Sequence, residues 1–208
     1  MKEALKSTIA TIDRFGRLLG EITSWLVLGV LISVLIAVIA GALGANEMLS
    51  WGVDLPILGT KLTINGIFDL EWHFFAIMVM TGGTYAYLDD KHVRSDLIYA
   101  NLPSNIKTWI DTIGDVFLLI PFAAVMVWLS SSFVARSFNS SEASDYGGLV
   151  DRFLIKATIP IGFSILIIIV LARVIKRFID VYEEQAKPSK VRLSDFPEEQ
   201  AKPNKANC

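Results

Sequence analysis

Between its charged residues the chain holds four long runs free of Asp, Glu, Lys and Arg: Ile22–Ala45 with 24 residues, Trp72–Leu88 with 17, Val116–Ala135 with 20 and Ala157–Ala172 with 16. A helix rises about 1.5 Å per residue, so roughly 20 residues cross a hydrocarbon layer of about 30 Å. The first and third runs are long enough as they stand. The second and fourth reach the same span if Trp72 sits in the interfacial belt and if Lys156 and Arg173 lay their alkyl stems along the helix with the charge among the headgroups. Composition points the same way: 53% of residues are hydrophobic and 19% are charged, where a soluble domain carries about a quarter charged. A single water-soluble core is excluded. The fold class expected is an all-α integral membrane protein with four transmembrane helices. Twenty-four uncharged residues exceed the core of a typical signal peptide, so the first run reads as a retained span.

Orientation follows from counting Lys and Arg across the loops. Four precede the first span, three (Lys91, Arg94, Lys107) lie between the second and third, and eight follow Leu171. The opposite side holds four: Lys61, Arg136, Arg152 and Lys156. Both termini are therefore expected in the cytoplasm.

Three segments lie outside the spans. In residues 1–21, Leu5, Ile9, Ile12, Phe15 and Leu19 share one helical face, which predicts an amphipathic helix on the inner membrane surface or an extension of span one. The 46–70 loop is broken by Gly52, Pro56, Gly59 and Gly66 and reads as an ordered surface excursion rather than a further span. After the four-helix domain of residues 22–180, residues 181–208 turn polar and carry a twofold near-repeat, EEQAKPSK and EEQAKPNK. Two copies are too few for a repeat fold, and a disordered cytoplasmic tail is expected. Cys208, the sole cysteine, excludes a disulfide framework.

The spans themselves look chemically quiet. Ion- or proton-moving proteins keep ionisable groups within the bilayer, and these runs have none apart from His73 at an edge. Asp111 and Asp115, one helical turn apart before span three, read as a solvated or paired helix start. His73 and His92 lie 19 residues apart across span two, about 28 Å on a continuous helix, too far to share a metal. No catalytic residue, cofactor or metal site is expected. The net charge of −2 gives no sign of a nucleic-acid partner. Packing surfaces are plentiful: Gly29, Ser33, Ala37, Gly41 and Ala45 recur every four residues along span one, a stripe on which another helix can approach closely. Thr81, Gly82, Gly83 and Thr84 form a similar patch on span two, and Pro121 and Pro160 can kink their helices.

The loop after span two reads Asp89-Asp90-Lys91-His92-Val93-Arg94-Ser95-Asp96-Leu97. Here the chain resembles the small, DctQ-like membrane subunit of tripartite ATP-independent periplasmic (TRAP) transporters, which has a His-Val-Arg-x-Asp-Leu motif after the second of four spans. The third loop is similar too, at Glu142, Ser144, Gly147, Gly148 and Leu149, followed by Leu154-Ile155-Lys156-Ala157 and Ile159-Pro160-Ile161-Gly162-Phe163. The likeness covers about residues 10–180.

The resemblance implies an accessory or scaffold subunit of a sodium-coupled importer in a bacterial inner membrane, with carboxylates as the usual solutes. Its partners would be a large membrane transport subunit, a periplasmic solute-binding protein and membrane lipids. Partner contact is expected at His92, Arg94 and Asp96 in the loop and at Gly29, Ser33, Ala37 and Gly41 on span one. The competing reading is a haem- or quinone-binding membrane oxidoreductase subunit.

Overall fold

The computed structural model describes residues 2–89 and 102–186. Helix α1 (Lys2–Ser24) runs into α2 (Leu26–Ala42) with only Trp25 between them, itself in helical conformation. The amphipathic N-terminal segment thus extends span one. Together they form an apolar helical rod, Glu3–Ala42, of 40 residues, about 60 Å long. The expected apolar face of α1 divides: Ile9 is buried and Ile12 packs on the core, while Leu5 and Phe15 stay exposed.

A strand pair follows, β1 (Glu47–Leu55) antiparallel to β2 (Gly59–Thr63). The 46–70 loop is therefore ordered, but as a β-hairpin, which corrects an all-α reading. Gly52 and Gly59 sit at φ +68° and +66°, a conformation open to glycine at little cost. Trp51 Nε1 donates to Gly59 O at 2.8 Å across the turn. Helix α3 spans Ile64–Leu88 and starts a full two turns before the uncharged run, because Thr63 caps it: Thr63 Oγ1 accepts from Gly66 N at 3.1 Å.

Beyond the second loop come α4 (Ser104–Gly114), a π-helical turn (Asp115–Leu119) and α5 (Ile120–Asn139), one unbroken helical rod. The π-turn has a local cause. Pro121 has no N–H and its ring crowds the carbonyl four residues back, so the ladder widens just before it. Helix α6 (Phe153–Ala186) passes through Pro160 and continues six residues past the expected tail boundary at 180. Residues 187–208, the remainder of the expected disordered tail, lie outside the described residues.

Among the described residues three helical rods are long and apolar enough to cross a membrane: Glu3–Ala42, Ile106–Asn139 and Phe153–Glu183. Helix α3 has the length, 25 residues, but His73 and its Thr, Gly and Tyr residues make it less apolar. Helices α1 and α2 pack along α3, α3 packs on α6, and α6 packs on α5. Their shared core, Tyr87, Leu88, Ile169, Val170 and Val174, lies near one end of the bundle. Most of α2 and α5 faces outward, with Leu31, Leu35, Val38, Phe122, Trp128 and Leu129 all exposed, as suits helices surrounded by lipid or by another subunit.

Candidate functional site

Charged side chains gather in two layers, one at each end of the bundle, and among the described residues the helices between them carry no Asp, Glu, Lys or Arg apart from Glu21, one turn along α1 from Arg17. The terminal layer lies where α1 begins and α6 ends. Tyr87 and Leu88 close α3 here, and the last carbonyls of a helix lack intrahelical donors. Arg17 of α1 donates to Leu88 O at 3.1 Å and pairs with Asp89. Arg173 of α6 donates to the same carbonyl and stands 3.9 Å from Asp13 of α1. Two guanidinium groups thus cap the negative end of α3. Beside them, Asp115 is buried and accepts from Tyr87 Oη at 2.7 Å and from Arg177 at 2.6 Å. Asp115, expected as a solvated or paired helix start, is paired, but it stands eleven residues inside the α4–α5 rod and not at its start. Lys6 and Glu183 add a peripheral pair at 2.6 Å. Four helical rods are stitched together within this layer.

The hairpin layer is built mainly from backbone. The turn residue Ile57, at φ +70°, is strained for a β-branched side chain. It is held by the third loop: Val150 N donates to Ile57 O at 2.9 Å, and Ile57 N donates to Asp151 Oδ2 at 3.5 Å. Leu149 is 1% exposed and its N–H donates to Asp69 Oδ2 of α3 at 3.1 Å. A Cβ on Gly148 would overlap that carboxylate, so only glycine fits there. Thr63 Oγ1 and Asn65 Nδ2 donate to the carbonyls of Gly147 at 3.0 Å and Tyr146 at 2.6 Å.

At the rim of this layer Glu142 joins α5 to α6. It accepts from Lys156 and from Ser137 Oγ at 2.7 Å, and Lys156 Nζ also stands 4.1 Å from the centre of the Phe133 ring. The Lys156 hydrogen bond, and after it that of Ser137, holds the Glu142 carboxyl below the ordinary glutamate range. Further into α3, Glu71 Oε1 and His73 Nε2 are buried without a hydrogen bond among the described residues. Two residues apart on a helix, they point about 200° from each other and do not make one site.

The small-residue stripe is largely used inside the chain. Gly29 lies against Phe74, where a Cβ would come within 2.9 Å of the ring, and Ser33 and Ala37 are buried on the side that packs on α3. Gly41 has open space around it. On span two, Thr81 meets Thr23 at 2.7 Å and Thr84 is buried, while Gly82 and Gly83 are open. A second close approach escaped the sequence reading: Gly16 and Gly20, where a Cβ would come within 2.6 Å of Leu88 and Tyr85 respectively. Its signal is a GxxxG spacing within the amphipathic segment. The expected contact residues His92, Arg94 and Asp96 lie outside the described residues.

The family model for the DctQ component of tripartite ATP-independent periplasmic transporters matches residues 57–180. The chain belongs to that family. Neither the curated proteins nor the solved structures searched give a match. The DctQ match begins at the strained turn residue Ile57 and takes in the whole third loop, Asp115, Arg173 and Arg177. The α1 contribution to the terminal layer, Lys6, Asp13 and Arg17, precedes it. As a DctQ component the chain is a membrane subunit of a TRAP transporter, a transport component rather than an enzyme. The haem or quinone reading finds no support in this family.

Proposed function

We propose that this chain is the small scaffold subunit of a sodium-coupled importer of carboxylate solutes, a four-span bundle that stabilises and orients a larger transport subunit. The observation that carries this reading is the spacing of the two polar layers. From Lys156 to Arg173 on α6 is about 26 Å, from Asp115 to Arg136 on the α4–α5 rod about 32 Å, and from Glu71 to Asp89 on α3 about 27 Å. Each interval matches a hydrocarbon thickness, and α3 keeps to it as well as the more apolar rods, which favours a fourth span. Among the described residues these three rods hold no Asp, Glu, Lys or Arg between the layers. On the first rod Glu21 stands one turn inside Arg17, near the terminal layer, so the bilayer interior has no charged group to bind a coupling ion. The chain must work through a partner that has such groups.

The excess of Lys and Arg on the terminal side favours both termini in the cytoplasm of a bacterial cell, with the hairpin layer in the periplasm. The large subunit then packs on the outward apolar face, near Gly41. His92, Arg94 and Asp96, just beyond Asp89, contact it from inside. The solute-binding protein docks on the hairpin layer, where Trp72 and Tyr146 are exposed. Sodium coupling and a carboxylate solute rest on the family resemblance.

The test is uptake by proteoliposomes under an inward sodium gradient. The large subunit and binding protein together with this chain should import the solute, and omission of this chain should abolish or cripple import. Full sodium-driven uptake without it, or uptake by this chain alone, would overturn the reading.

A further inference from the structure

We propose that the groove between α1 and the end of α6 binds the headgroup of an anionic phospholipid. The groove encloses about 490 Å³ and is floored by Ile9 and Ala10. Four cations line it, Lys6, Arg14 and Arg17 from α1 and Lys176 from α6, against two carboxylates, Asp13 and Asp180. The cations are not equivalent. Lys6 is engaged by Glu183, and Arg17 by Asp89 and Leu88 O. Among the described residues Arg14 and Lys176 have no hydrogen-bond or ion-pair partner, and both are exposed. One comes from each wall of the groove.

Depth argues for a lipid. Lys176 lies one hydrocarbon thickness along α6 from Lys156, at the level where headgroups begin. Apolar side chains adjoin the free cations: Leu18 follows Arg14 by one turn on α1, and Ile175 precedes Lys176 on α6, both exposed. A phosphodiester between Arg14 and Lys176 would leave its acyl chains on that apolar surface. Basic pockets between membrane helices hold anionic headgroups in this way. Free inorganic phosphate satisfies the same cations but gains nothing from the apolar flank. The inference needs the chain to be embedded in a membrane but not its role in transport, so the two can fail separately.

The test titrates delipidated full-length chain with short-chain phosphatidylglycerol, phosphatidylcholine or inorganic phosphate at matched ionic strength, counting adducts by native mass spectrometry. Phosphatidylglycerol should bind in preference to phosphatidylcholine. Each cation removed should weaken binding about fivefold, so R14Q/K176Q should lose roughly 25-fold, while R14K/K176R and the hairpin-end variant K61Q retain it. If the double variant does not fold, R14Q and K176Q read singly carry the same comparison. Equal binding of the two lipids, undiminished binding by the glutamine variants, or equal binding of inorganic phosphate would each overturn the proposal.

Discussion

At the terminal end, helices far apart in sequence meet through charged side chains, whereas at the hairpin end two loops and a helix start meet mostly through backbone groups. The terminal pairs are partly buried: the Arg177 and Asp115 side chains are 19% and 12% exposed. In such surroundings an unpartnered charge is costly. The hairpin end depends instead on conformations that few residues adopt, with Ile57, Gly147 and Asp151 all at positive φ. The difference teaches where each end should yield. Loss of a charge at the terminal end should destabilise the whole bundle, and a change at the hairpin end should open the loops locally.

The strongest test of that contrast is Asp115→Ala, which strands Arg177 and Tyr87 without their acceptor. It should cost about 3 kcal/mol, read as a lowered melting temperature of the detergent-solubilised protein. A wild-type melt would show that this layer is not what joins the helices. Next comes Gly20→Val, which pushes α1 off Tyr85 and should cost about 1–3 kcal/mol by overpacking. Gly82→Ala, into open space, should stay within about 0.5 kcal/mol. Equal melts for these two would deny the close α1–α3 approach.

Gly148→Ala drives a Cβ into the Asp69 carboxylate. It should release the third loop, read as faster proteolysis between residues 140 and 152, with the global melt lowered by less than in Asp115→Ala. An intact loop would remove glycine's special place there. The smallest effect concerns pH. Because the Glu142 carboxyl is held below its ordinary range, its contribution is fully present above the usual glutamate pKa and is lost as pH falls through the depressed value. Loop proteolysis should therefore quicken with acidification in the wild type, and Glu142→Gln should flatten that dependence.

Much of the hairpin end was legible as residues without their connections. Glu142, Gly147, Gly148, Leu149 and Lys156 stood out through the family likeness, yet nothing in their spacing pointed to Asp69 or Ile57, some 80 to 94 residues away in the contacts Leu149–Asp69 and Asp151–Ile57. At the terminal end Asp115 read only as a solvated or paired helix start, and the structure puts it eleven residues into the α4–α5 rod. Its partners Tyr87 and Arg177, from two other helices, were not legible. The β-hairpin was missed because bulges break its register between Glu47 and Leu49 and between Ser50 and Leu55, which erases the alternation that marks a strand. The stripe on span one was seen, but small residues read the same whether they face a helix of the same chain or of another.

Hydrophobicity and charge are local properties, so the amino-acid order alone determined which runs are apolar enough to enter a bilayer and how the cations are shared among the segments between them. The tertiary structure alone decided that Arg17 and Arg173 converge on the carbonyl of Leu88, that Asp115 takes both Tyr87 and Arg177, and that the third loop locks onto the hairpin turn. Those contacts depend on the rotation and register of packed helices, set by close approaches such as Gly16 on Leu88 and Gly162 on Met80, which no window of sequence contains.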